Sequence, residues 1–189
     1  MKKGTIILIA VIAVIAIIAF SCVETYNSLV EQRENVDTQY SAIETQLQRR
    51  IDLIPNIVNT VKGYAAHESE VFGAVSDARA RLAGASTKEE AAEADSELTS
   101  AVSRLLMIAE NYPDLKAHQE LEDAMQQNSY LQREITAARE YYNDVVAQWN
   151  MAVNTLYIQQ LVAAEQGYTT RIPFATTAEI KEQARGEFF

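Results

Sequence analysis

Apolar residues follow two regimes along this chain. From Ile6 to Phe20 they are nearly continuous. From Tyr26 onward they keep helical spacing through Leu29, Val30, Val36, Tyr40 and Ile43, and from Leu47 through Ile51, Ile54, Val58 and Val61 they alternate four and three residues apart. The second pattern is that of a helix burying one stripe along its whole length. The first, counted from Thr5 to Val23, is about 19 residues, or roughly 28 Å of helix. That matches a hydrocarbon core of roughly 30 Å. No breaker separates the regimes, so a transmembrane helix is expected to run straight into the part outside the bilayer. The stripe then crosses Pro55 in phase and continues through Ala65, Phe72, Val75 and Leu82. An interior proline removes one hydrogen bond and kinks a helix. Alternatively, Asp52 caps a new helix with Pro55 in its first turn. The unbroken phase favours one kinked helix from Glu24 to Leu82, about 59 residues and near 90 Å long.

Gly84-Ala85-Ser86 ends that helix. Either Ser86 with Glu89 or Thr87 with Glu90 forms a capping box for the next one. The second helix carries Ala91, Ala94, Leu98, Val102, Leu105 and Ala109 on one face and stops before Pro113. Asp114 suits an N-cap, and Leu115, Leu121 and Met125 mark a short third helix. A turn near Asn128, with Ser129 and Gln132 as a further capping box, would release a last helix. That helix carries Leu131, Ile135, Ala138, Tyr142, Val145, Trp149, Val153 and Leu156. Its aromatics Tyr141, Tyr142, Trp149 and Tyr157 read as core. The period is lost after Gln166-Gly167-Tyr168. Ile172-Pro173-Phe174 reads as irregular, and residues 178–185 as one or two helical turns.

The expected fold class is therefore all-α: an N-terminal transmembrane helix running into an antiparallel up-down four-helix bundle with a very long first helix. The organisation is an anchor over residues 1–23, a helical bundle over 24–160 and an irregular tail over 161–189. Few breakers support this, with three prolines and six glycines in 189 residues.

Charge narrows the partners. The formal net charge is −10. An acidic surface repels phosphate backbones, which argues against nucleic acid, and it does not adhere to anionic headgroups. Attachment to a bilayer must come from the apolar run. Lys2 and Lys3 before it, and Glu24 after it, place the N-terminus in the cytoplasm and the bundle on the periplasmic or extracytoplasmic side of the inner membrane. Ala19-Phe20-Ser21-Cys22 faintly resembles a lipoprotein cleavage box, so the alternative is a lipoprotein anchored at Cys22. Cys22 is the one cysteine, which excludes an intramolecular disulfide.

Candidate chemistry is sparse. Hydrolysis needs an activated nucleophile or a metal with an open position. The chain offers two histidines and one cysteine, and no glycine-rich phosphate loop. No catalytic, cofactor-binding or metal residue is assigned. His67 and Glu70 are i,i+3 neighbours, but no second such pair accompanies them. Arg49 and Arg50 beside Asp52, and Arg33 near Asp37, read as solvated ion pairs of small energy, or else as an interaction patch. Tyr26, Val30 and Val36 are seam positions without an obvious partner, and Phe188 and Phe189 form an apolar end. These are the candidate interaction residues.

The segments Tyr26-Asn27-Ser28-Leu29-Val30, Gln48-Arg49-Arg50-Ile51-Asp52-Leu53-Ile54-Pro55-Asn56-Ile57-Val58, Val61-Lys62-Gly63-Tyr64, His67-Glu68, Ala78-Arg79-Ala80, Glu110-Asn111-Tyr112-Pro113-Asp114-Leu115 and Tyr142-Asn143 resemble the LemA family. The likeness covers roughly residues 24–155. It implies a bacterial membrane-anchored four-helix bundle with an unusually long first helix and no established enzymatic activity. The family includes magnetosome-membrane relatives, which hints at membrane shaping or scaffolding. The chain departs from the family pattern at Gln132-Arg133-Glu134-Ile135 and at Leu156-Tyr157. The expected function is a self-associating structural protein of the envelope, a homo-oligomer held in the bilayer by residues 5–23. The alternative is an adaptor that recruits an envelope protease or transporter through its acidic helical surface.

Overall fold

The computed structural model describes residues 3–65, 67–112, 115, 118–155, 158–176 and 179. Regular structure among them is helical, with no strand. Helix α1 spans Lys3–Lys62, α2 Ser69–Gly84, α3 Lys88–Ala109, α4 Gln119–Asn154 and α5 Ile158–Glu165. The all-α class and the very long first helix are as expected.

α1 holds 60 residues and passes through Pro55 without interruption, so Asp52 caps nothing. It does not reach Leu82, however. The backbone leaves the helix at Gly63, where the amides of Tyr64 and Ala65 both turn back to the Val61 carbonyl, each at 3.0 Å. A glycine there weakens the helix by about 1 kcal/mol relative to alanine. The sequence hides this break because Val61, Ala65, Phe72, Val75 and Leu82 are all buried on either side of it. An apolar stripe records which residues face inward, not whether the chain turned between them.

A second correction mirrors the first. The expected turn near Asn128 does not exist: α4 runs unbroken for 36 residues across it. Asn128 is buried and Ser129 exposed, so neither caps a new helix. Five helices are described where four were expected, and the break expected at Asn128 lies instead at residues 63–68.

Between α2 and α3 the connection is residues 85–87, and the two helices pack together. Thr87 is the N-cap of α3. Its hydroxyl accepts from the Glu90 amide, and the Glu90 carboxylate accepts in return from the Thr87 amide. Ser86 also donates to Glu90, through both amide and hydroxyl. An exposed pair, Arg81–Glu97 at 2.8 Å, ties the two helices.

Two compact units divide the chain. One comprises Met1–Gln39 with Tyr142–Ile172, and the other Tyr40–Tyr141 with Pro173–Phe189. In the second, Ile43, Leu47, Ile51, Ile54, Ile57 and Val61 of α1 are buried, as are Phe72, Val75, Leu98, Leu105, Leu121, Leu131 and Ile135. Phe174 is also buried there, against the Tyr40 ring and under the Arg139 guanidinium. In the first, Leu29, Val36, Tyr142, Val145, Val146, Trp149, Val153 and Ala163 are buried. Residues 168–172 are irregular, as the lost period implied, yet they are pinned. The Trp149 indole donates to the Thr169 carbonyl at 2.9 Å, and the Tyr142 hydroxyl to that of Ile172 at 3.0 Å. Asn150 bonds the Arg171 backbone twice: its Nδ2 donates to the carbonyl at 2.9 Å, and its Oδ1 accepts from the amide at 2.7 Å.

Candidate functional site

Arg50 lies in the apolar phase of α1, three residues after Leu47 and four before Ile54. It is fully buried, at 0 % exposure. Its Nη1 meets Asp95 Oδ1 of α3 at 2.5 Å and Thr99 Oγ1 at 3.0 Å, and its Nε donates to Asn128 Oδ1 of α4 at 3.3 Å. The solvated-pair reading is corrected for Arg50. Asp95 occupies the buried face of α3 between Ala91 and Leu98, and Asn128 that of α4 between Leu121 and Leu131, so the partners wait inside. Arg49 and Asp52 are exposed, and Asp52 accepts from Gln48 instead, at 2.9 Å. A buried charge left alone is costly, and Asp95 of α3 gives the Arg50 guanidinium of α1 a paired partner inside the protein.

One residue further along, the Ile51 carbonyl should bond the amide four residues ahead. That residue is Pro55, which has no N–H. Arg79 Nε of α2 donates to this carbonyl at 2.8 Å. Arg50, Ile51 and Pro55 thus bring α1, α2, α3 and α4 to one polar centre. Two buried atoms nearby on α1, Arg50 Nη2 and Gln46 Oε1, have no hydrogen-bond partner among the described residues.

Other candidates scatter. Arg33 and Asp37 are a long, exposed pair at 4.0 Å, and Asp37 also meets Arg171 at 3.6 Å. Val36 is 1 % exposed and Val30 half-buried, so Val36 belongs to the protein's own interior. Tyr26 remains 40 % exposed. Of the aromatics read as core, Tyr142 and Trp149 are buried, Tyr141 is exposed and Tyr157 lies outside the described residues. Asp114, Leu156, Phe188, Phe189 and, apart from Glu179, the short helix expected over 178–185 lie outside the described residues too. His67 is exposed, and the His118 ring meets Tyr64 edge-on at 5.8 Å between centroids. Among the described residues no three His, Cys, Asp or Glu side chains gather as metal ligands would.

Two of the surface grooves bear on possible partners. The larger, about 1000 Å³, is lined by Leu106, Ala109, Leu121 and Met125 of α3 and α4, with Glu110, Glu122, Asp123 and Arg133 as its charged residues. The smaller, about 440 Å³, is lined by Cys22, Val23 and Tyr26 of α1, Leu161, Val162 and Glu165 of α5, and Gln166. Toward the N-terminus α1 contains an 18-residue window of mean hydropathy 3.3, none of it buried. It is long and apolar enough to cross a membrane.

Two comparisons follow from this picture. The family model for "LemA family" matches residues 39–188. The match takes in the C-terminal stretch and starts later than the motifs alone implied. A magnetosome protein, MamQ of Magnetospirillum gryphiswaldense, is 24 % identical over 181 residues, which cover 81 % of this chain. The aligned region is 66 % of that relative's own length, just under two thirds. With the family model spanning most of the chain, and with Arg50, Pro55 and Arg79 of its motifs meeting at one polar centre, this chain belongs to the LemA family.

Proposed function

We propose that this protein is a membrane-anchored, non-enzymatic helical scaffold that self-associates in the bacterial envelope. One observation carries the reading: the exposed apolar stretch of α1 continues without a break into a helix whose charged interior residue, Arg50, is spent on other helices. In this reading α1 crosses the inner membrane once, with the N-terminus in the cytoplasm. α1 to α4 then form an antiparallel up-down bundle on the extracytoplasmic side, and Cys22 stays unmodified at the edge of the bilayer. The relative's name as a magnetosome protein is in keeping with such a place. The alternative anchor, a lipid on Cys22 after cleavage, predicts an intact mass lacking residues 1–21 and carrying an acyl group.

A second reading has its own observation. The α3–α4 groove is lined by Leu106, Ala109, Leu121 and Met125 and by three carboxylates, Glu110, Glu122 and Asp123, against one cation, Arg133, a balance that suits a basic amphipathic segment of another envelope protein. Photo-crosslinking in cells from an exposed position such as Tyr130 separates the two. Adducts between copies of this chain support the scaffold, and one dominant foreign adduct supports the adaptor.

A further inference from the structure

The geometry points to α5 as a second membrane contact, an interfacial foot. The side chains around its groove with α1 bury into the headgroup–acyl boundary of a phospholipid bilayer. The inference rests on the reading of α1 as a membrane span and extends the lipid contact to another part of the chain.

Three observations carry it. Leu161 is the most exposed large apolar side chain among the described residues, at 69 %, above even Phe20 at 66 %. A lone exposed leucine on a surface is ordinary. This one belongs to a groove whose other wall is Cys22, Val23 and Tyr26. Val23 ends the exposed apolar run that starts at Ile6, so the groove adjoins the surface offered to lipid.

The register along α1 fixes which part of the segment lies nearest that run. Gln166 lines the groove beside Tyr26. The Tyr168 ring lies 5.6 Å from the Arg33 guanidinium, and Arg171 lies 3.6 Å from Asp37. The two numberings rise together, so the tail leaves the groove along α1 and away from Val23. α5 is therefore the closest approach of residues 158–172 to the end of the apolar run.

The chemistry selects the occupant. Tyr26 presents an aromatic body and a hydroxyl, the pairing that suits the headgroup level. Glu165 is the charged residue lining the groove, with no Lys or Arg. The contact is thus apolar insertion, without attraction to anionic headgroups. An amphipathic helix of this kind sinks roughly 5–10 Å into the boundary.

The test uses the full-length protein in vesicles, in a Cys22→Ser background. Nitroxide labels are placed at Leu161→Cys, at Ile12→Cys within the span, and at Glu34→Cys on α1 beyond the groove. Depth is read from collisions with oxygen against a water-soluble nickel chelate. The expected result is a label at 161 lying about 5–10 Å below the phosphate level. The label at 12 lies near the bilayer centre and the label at 34 in water. The depth at 161 is the same in phosphatidylcholine vesicles and in vesicles containing phosphatidylglycerol. A label at 161 as wet as that at 34, with 12 still deep, overturns the foot and spares the span. Wet labels at both 161 and 12 overturn both. Insertion seen only with phosphatidylglycerol also overturns the proposal, because the contact would then be electrostatic.

Discussion

Arg79 supplies the hydrogen bond that Pro55 takes away from Ile51. The Ile51 carbonyl faces a residue without an N–H, and the Arg79 Nε–H reaches it at 2.8 Å from α2. An interior proline costs a helix about 3 kcal/mol or more, part of it through that lost bond. Here the loss becomes a socket for a neighbouring helix. The Arg79→Met substitution leaves a partly buried carbonyl unpaired and is expected to destabilise by about 1–3 kcal/mol. In a Pro55→Ala background the helix supplies its own N–H, so the same substitution costs about 1 kcal/mol less. Denaturant unfolding of the four variants, followed by circular dichroism, measures this coupling. Equal costs in both backgrounds would mean that Arg79 acts through packing alone.

The Arg50→Met substitution strands Asp95 inside the protein and is expected to cost about 3–5 kcal/mol. Adding Asp95→Leu recovers most of that loss, because two apolar side chains replace a charge pair that was near break-even. The melting temperatures of wild type, both single variants and the double variant check it. A double variant as unstable as the sum of the singles would show that Asn128 and Thr99 make the centre worth more than its pair.

Much of this centre is legible in the sequence. Arg50, Asp95 and Asn128 each sit in phase with the apolar stripe of their own helix. A cation, an anion and an amide at core positions on three helices form a complementary set, and reading Arg50 only against its chain neighbour Asp52 missed it. The same phase logic located Leu47, Ile54, Leu98 and Leu131 correctly. It failed at residues 63–68 because burial is periodic while chain continuity is not, and at Asn128 the capping-box and length arguments for a turn overrode a period that was correct. Gly63 was the local sign of the true break. Asn128 looked like a turn only until its interior partner was known. The Arg79–Ile51 bond carries no periodic signal, since its acceptor is backbone.

Asn150 closes the tail onto α4. The Asn150→Ala substitution removes two hydrogen bonds to the Arg171 backbone and is expected to cost about 1–3 kcal/mol locally. Hydrogen exchange should then quicken over residues 168–172, with little change in α2 and α3. Uniformly faster exchange throughout would show that the tail supports the whole fold.

Two carboxylates respond to acid in a defined direction. The backbone amide of Ser86 first, with the Ser86 hydroxyl and the Thr87 amide, holds Glu90 below the ordinary value of 4.5. The Thr176 amide is the main group lowering Glu179, helped by the Thr176 hydroxyl and Arg139 against partial burial. Both folded values lie below the unfolded ones. Their stabilisation is therefore complete above about 4.5 and is lost as pH falls through the lowered values. The Glu90→Gln variant should show a shallower fall in melting temperature across that acid range than the parent chain. An identical acid slope would mean that these caps do not persist in solution.

The scaffold reading is tested most directly by sedimentation velocity of the full-length protein in mild detergent, over a range of micromolar concentrations. The account predicts a discrete oligomer that grows with concentration and that dissociates on dilution. A single monomeric species, unchanged across the whole range, would contradict it.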